Sequence, residues 1–205
     1  MFKQLLPAAL LTLVLTVVLG IGYPLAMTGA AGALFPYQAH GSLIEKDGHV
    51  VGSALIAQGF AKPEYFHPRP SATTDTDPND PTKTVAAPYN AANSGASNAA
   101  PTSKSYLEAT QALVEQVKAE NPNAHGPVPV DLVTASGSGL DPDISPAAAE
   151  YQLARVAAAR GIAEDELRRL VAKETEGRAM GVLGEPRVNV LRLNLALDQR
   201  WPAGK

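Results

Sequence analysis

LLPAALLTLVLTVVLGIGYPLAM, from Leu5 to Met27, decides the class of this chain. No Asp, Glu, Lys or Arg falls between Lys3 and Glu45, and the quoted stretch is almost wholly apolar. Its 23 residues, at about 1.5 Å each, span about 34 Å, enough for a hydrocarbon layer of about 30 Å. The stretch reads as a transmembrane helix. A cleaved secretory signal is the competing reading. Its apolar region would be about 7–15 residues long and end at a small-residue cleavage site. Ala31-Gly32-Ala33 offers such a site, but well past the apolar stretch. Lys3 puts the positive flank inside, and the long remainder crosses largely regardless of its own charge. The expected layout is a cytoplasmic stub at 1–4, a membrane helix at 5–27 and an extracytoplasmic domain at 28–205. Ala8, Thr12, Thr16 and Gly20 recur every four residues. Small residues at that spacing let a second helix approach closely. They are also common in membrane helices generally.

Composition narrows the rest. The chain has 205 residues, with 17 Lys and Arg against 20 Asp and Glu, a net charge of −3. That balance argues against a nucleic-acid partner, which demands a basic excess. Hydrophobic residues make up 45% and aromatics only 5%, so the core rests on Leu, Val, Ile and Ala. There is no cysteine, which removes disulfides, thiolate metal sites and cysteine nucleophiles.

Beyond the helix, Val50 to Ile56 is strand-like. The prolines of Lys62 to Ser71 forbid regular helix or central strand. Residues 72–88 read as an exposed loop. Asp75, Asp77 and Asp80 do not make an EF-hand, which needs Gly at position 80 and Glu at position 86, where Asp80 and Ala86 stand. Asn90 to Asn98 reads as an irregular segment held by side-chain-to-backbone bonds. A helix is expected from about Ser103 to Glu120, then a short strand at Asp131 to Ala135. A second helix starts at Ser145-Pro146 and stops at Gly161. A third runs from about Ala163 to Glu174, with acids at its positive end and bases nearer its negative end. Leu191, Leu193, Leu195 and Leu197 alternate with other residues and read as a closing half-buried strand. The expected fold is therefore α+β: one N-terminal transmembrane helix followed by one extracytoplasmic α+β domain.

Catalytic signatures are missing from the sequence. There is no P-loop, no Gly-x-Ser-x-Gly elbow and no His-Glu-x-x-His among His40, His49, His67 and His125. Ser136-Gly137-Ser138-Gly139 is open to two readings, a backbone nest for an anion or a tight loop before a capped helix. Glu174, Glu176 and Glu185, interleaved with Arg178 and Arg187, read as a charge-mixed surface.

Several ordered blocks carry a resemblance. They include Gly52 to Phe60, Tyr65-Phe66-His67-Pro68-Arg69-Pro70-Ser71-Ala72, Tyr89 to Asn98, Thr134 to Pro146 and Gly184 to Asp198. In these blocks the chain resembles the KdpC family, the C subunit of bacterial Kdp potassium-transporting P-type ATPases. Ala96 stands where family members often have a second Gly, and Ala99-Ala100-Pro101 stands where Leu-Gly-Pro is frequent.

The resemblance implies an accessory subunit of the inner membrane, needed for assembly. Its implied partners are a channel-like potassium-translocating subunit, a P-type subunit that hydrolyses ATP, a small membrane peptide and the surrounding lipid. Potassium would be carried by the complex. The resemblance also implies a chaperone effect on ATP affinity, with a nucleotide contact that matches Gln152. An extracytoplasmic Gln152 sits badly with cytoplasmic ATP. Candidate partner contacts are Thr12, Thr16 and Gly20 on the helix and Asn90, Asn93, Ser94 and Asn98 in the polar loop. A signal-cleaved secreted binding protein or hydrolase is the alternative from a different class. A nucleotide-sensing module using Ser136 to Gly139 is a third.

Overall fold

A computed structural model describes residues 2–202 of the chain. It divides into two compact units, Met1–Ser53 and Ala54–Lys205. In the first unit one continuous helix, Leu5–Leu34, is long and apolar enough to cross a membrane, and the most apolar part is buried nowhere in the chain. It consists of α1 (Leu5–Val17), a wider turn at Val18–Gly22 and α2 (Tyr23–Leu34). The wide turn has a local cause. Pro24 cannot donate to the carbonyl four residues back and its ring crowds that carbonyl. The preceding turn opens so that Tyr23 N–H reaches Val18 O, five residues back. The helix extends to Leu34 rather than Met27, and ends at Phe35, which precedes Pro36 and leaves the helical region with φ −136°. A short turn, α3 (Pro36–Ala39), leads into a hairpin of β1 (Leu43–Lys46) and β2 (His49–Ser53). Asp47 and Gly48 form its two-residue loop with φ of 54° and 79°, the left-handed pair that favours tight hairpins.

In the second unit, the stretch read as an exposed loop at 72–88 holds a second hairpin, β3 (Thr74–Asp77) and β4 (Asp80–Ala86). Threonines on both strands favour the pleated backbone, and Asp77 Oδ1 accepts from Asn79 N at 2.8 Å to fix the turn. Most of its side chains face solvent, so it carries little core. Helix α4 (Lys104–Glu120) follows, as its periodicity predicts. The strand expected at Asp131 to Ala135 is a single helical turn, Val130–Leu132. Asp131 is committed elsewhere: its carboxylate accepts from Ser145 N at 2.6 Å and from Ser145 Oγ at 3.1 Å.

The core lies between three helices and a small sheet. Strand β5 (Asp143–Ile144) leads into α5 (Pro146–Arg160), then come α6 (Glu164–Glu174) and β6 (Thr175–Glu176). Strand β7 (Arg187–Asn189) runs between β5 and β6, antiparallel to both, and continues into α7 (Val190–Arg200). Ser145 Oγ accepts from Ala148 N at 3.0 Å, and Gly161 takes φ 66°, so both ends of α5 form as the sequence indicates. Phe66, Leu153, Leu167, Val188, Leu193 and Leu197 are essentially inaccessible. Each contributes about 1.5–3 kcal/mol by leaving water.

The closing element corrects the sequence reading: the leucine repeat is a helix. Asn189 Oδ1 accepts from Arg192 N at 3.1 Å and starts it. Val190, Leu193, Asn194 and Leu197 then fall on one buried face at helical spacing. Leucine at every second position satisfies both periods locally, and tertiary burial selects the helical one.

Candidate functional site

Lys62 to Ser71 holds three prolines, which give no N–H and break any ladder. Its remaining backbone groups must find partners from elsewhere. Helices α5 and α7 provide them for the carbonyls of residues 63–67, and Tyr89 OH donates to Arg69 O at 2.9 Å. Gln152, 1% exposed, accepts at Oε1 from His67 N at 2.7 Å and donates from Nε2 to His67 O at 3.1 Å. Asn194, also 1% exposed, does the same to Phe66: its Oδ1 accepts from Phe66 N and its Nδ2 donates to Phe66 O, both at 2.9 Å. Two side-chain amides thus mimic a neighbouring strand for two consecutive residues, and they seat the Phe66 ring in the core.

Two arginines complete the bracket. Arg155 donates to Pro63 O at 2.7 Å, Tyr65 O at 3.0 Å, Asn121 Oδ1 at 3.0 Å and Gln152 Oε1 at 2.8 Å. The Arg160 side chain, 2% exposed, donates to Glu64 O at 2.8 Å and Trp201 O at 2.6 Å and pairs with Asp198 at 2.7 Å. Its guanidinium also lies 4.9 Å from the centre of the Tyr65 ring. The paired carboxylate keeps the buried charge compensated. Tyr65 OH donates to the other oxygen of Asp198 at 3.1 Å.

His67 lines one end of a cleft of about 280 Å³ between this segment and α4, with Phe60, Pro68, Leu113, Glu120 and Gln152. Its Nδ1 lies 3.4 Å from Glu120, and its Nε2 lies 3.1 Å from Lys62 O and 3.5 Å from Arg155. Burial and then the Arg155 charge hold the imidazole below its ordinary pKa, against the Lys62 carbonyl and Glu120.

Within the second unit, Gln152 and the Asn90 to Ser94 side chains have separate partners. Gln152 has both donors and both acceptor positions engaged inside the chain, by His67, Ala148 and Arg155. Asn90 and Asn93 both donate to Thr74 O, at 3.1 and 2.8 Å, and Ser94 donates to Ser138 O at 3.0 Å. Asn98 is exposed with φ 49°. Thr12 and Thr16 lie in α1, and Gly20 lies in the wide turn, where an added Cβ would sit 3.9 Å from Thr16 Cγ2.

The Ser136 to Gly139 loop is tight rather than open. Gly139 N donates to Ser136 Oγ at 2.9 Å and Leu140 N to Ser138 Oγ at 3.1 Å, so these two N–H groups are already used. A Cβ at Gly139 would come within 2.5 Å of Gly95 O. Beyond it the Asp131 carboxylate accepts from Ser145, the residue that caps α5. Glu176 and Glu185 pair with Arg187, Arg192 and Arg178 on the surface, as the charge-mixed reading has it. Among the described residues no three His, Cys, Asp or Glu side chains converge on a metal position. Asn194, Arg155 and Arg160 were not singled out from sequence. Asn194 left a faint signal, as an uncharged polar residue amid the closing leucines.

The arrangement is that of a chain with one helix long and apolar enough to cross a membrane, in which two buried amides, Gln152 and Asn194, hold its own proline-rich segment. Comparison with known proteins identifies the family. Residues 5–199 match the family described as KdpC, K+-transporting ATPase, c chain, and the chain belongs to it. It is 63% identical over 199 residues to the potassium-transporting ATPase KdpC subunit of Bradyrhizobium diazoefficiens, covering 97% of this chain and 98% of that one. The KdpC subunit of Rhodopseudomonas palustris strain BisB5 is 63% identical over 198 residues with the same coverage. That of Methylobacterium nodulans is 59% identical over 199 residues, again with 97% and 98% covered.

Proposed function

We propose that this chain is an accessory subunit of a potassium-transporting ATPase, acting in assembly and without chemistry of its own. The observation that carries the reading is the family match along nearly the whole chain, from residue 5 inside the apolar helix to residue 199. Because the match includes the helix, it supports a retained anchor over a cleaved signal. In this reading residues 1–4 lie in the cytoplasm and the helix crosses the inner membrane. Thr12, Thr16 and Gly20 face neighbouring membrane helices. The α+β unit lies outside and docks on the channel-like subunit, next to the P-type subunit and a small membrane peptide. The loop from Asn90 to Asn98, braced by its own amides, lends its outer face and Asn98 to that contact. Potassium passes through the partners. Gln152 acts as a structural bracket for Phe66 and His67 rather than as an ATP contact, since a nucleotide would have to displace bonds to buried backbone.

The test is protease treatment of intact spheroplasts with the intact mass recorded, alongside recovery of the full complex through a tag on this chain. Outside digestion, the mass of the uncleaved chain and co-purified subunits are the expected results. Protection until lysis would overturn the orientation, and recovery of this chain alone would overturn the assembly role.

A further inference from the structure

Between β6 and β7 the chain runs out into an arm, residues 177–186, whose tip is Ala179-Met180-Gly181-Val182-Leu183-Gly184. Met180 is 92% exposed, Val182 71% and Leu183 61%. The other large apolar residues exposed in this unit, Leu55, Val85, Leu107 and Val130, are separated in sequence. The tip is not loose chain. Ala179 and Leu183 exchange two backbone hydrogen bonds of 2.9 Å, Gly181 N donates to Arg178 O at 3.0 Å and Val182 N to Ala179 O at 3.2 Å. Below the tip Arg178 grips Glu185 at 2.7 Å, and Arg187 pairs with Glu176 at 2.7 Å. Met180 holds φ 53°, a left-handed position that Gly or Asn fills with less strain. A large thioether there buries nothing inside this chain, so neither its folding nor its solubility accounts for it.

The occupant follows from chemistry and from family membership. Residues 177–186 contain no Trp or Tyr to sit at a lipid interface. The stem charges neutralise one another, leaving no basic excess for anionic headgroups. A pre-ordered apolar tip of Met, Val and Leu on a charge-neutral stem fits a dry pocket in another protein, where a few buried side chains dominate affinity. Relatives of this chain are named as subunits of a larger transporter, so such a protein is at hand. We propose that the tip Met180–Leu183 is an anchor that inserts into an apolar pocket on another subunit of the potassium-transporting complex. The proposal rests on the accessory-subunit reading and adds the residues that make the contact.

The experiment uses the full chain co-expressed with the other transporter subunits. A benzophenone amino acid replaces Met180, and the assembled complex is irradiated in membranes. A crosslink to another transporter subunit is expected. In parallel the double variant Met180→Asp with Val182→Asp is expected to lower co-purification at least about tenfold, while Leu107→Asp, an exposed apolar change on α4, leaves it unchanged. The thermal midpoint of the double variant is expected to match that of the parent, since both side chains are exposed. Crosslinks only to lipid or to a second copy of this chain would overturn the proposal. So would no crosslink, or undiminished recovery of the double variant. If the unaltered chain fails to co-purify, the subunit reading itself is at fault and the anchor falls with it. If the unaltered chain assembles and the crosslink is missing, only the anchor fails.

Discussion

Replacing Gln152 by Ala separates a bracket from a ligand contact. The substitution removes the acceptor of His67 N–H, the donor to His67 C=O and one of the four acceptors of Arg155, at a side chain that is 1% exposed. A buried donor left without a partner costs about 1–3 kcal/mol, and a lost hydrogen bond to a charged group about 1.5–3 kcal/mol. Water entering from the adjacent cleft recovers part of this, so the net expectation is about 3 kcal/mol. For a protein of this size that lowers the thermal midpoint by about 6–12 °C. The assay is thermal unfolding of the purified full chain in detergent, followed by circular dichroism. The ATP dependence of hydrolysis is measured on the assembled complex below the new midpoint. A midpoint within about 2 °C of the parent, together with a changed ATP requirement, would refute the reasoning and return Gln152 to the nucleotide. A lowered midpoint with the same ATP dependence supports the bracket.

Other consequences are open to direct measurement. Arg160→Ala leaves Asp198 and the Glu64 and Trp201 carbonyls without a buried cation, and a loss of about 3–5 kcal/mol is expected in urea unfolding. Gly139→Ala forces a Cβ to within 2.5 Å of Gly95 O at φ 66°, for about 3 kcal/mol, whereas Gly177→Ala meets nothing within 4 Å and is expected to change stability little. His67 has its folded pKa below the unfolded value of about 6.5, so the unfolded chain binds more protons between the two values. Its contribution is complete above pH 6.5 and declines as pH falls through the folded value. His67→Gln is expected to flatten that part of the pH–stability curve measured by urea titration.

The bracket around Phe66 and His67 also explains how a proline-rich segment can carry Phe66 into the core. A backbone that cannot make its own ladder is admitted to the interior only if side chains satisfy it. Gln152 and Asn194 each engage one residue at both N–H and C=O, and Arg155 and Arg160 collect the carbonyls of Pro63, Glu64 and Tyr65. The segment and the two helices are therefore coupled, and loss of one partner is felt by the others.

Part of this protein is legible in its sequence because the deciding forces are local. An uncharged apolar run longer than a hydrocarbon layer defines the N-terminal helix. Ser145, Pro146 and Gly161 define α5 because capping depends on residues within a turn of one another. The Asp47-Gly48 turn has an equally local cause, but the sequence reading placed no hairpin there. Tertiary structure decided the rest. Leu191, Leu193, Leu195 and Leu197 suit a strand or a helix, and only burial of Val190, Leu193, Asn194 and Leu197 against the core selects the helix. Asp131, read as part of a strand, instead holds Ser145, the cap of a helix 14 residues away. Gln152, Asn194, Arg155 and Arg160 carry no mark of their role in the chain's order, because their partners in the proline-rich segment lie 85 to 128 residues distant. The sequence determines where the chain is apolar enough to cross a membrane, since that depends on composition over a short window. Which polar side chains hold its interior together depends on contacts that exist only once the chain has folded.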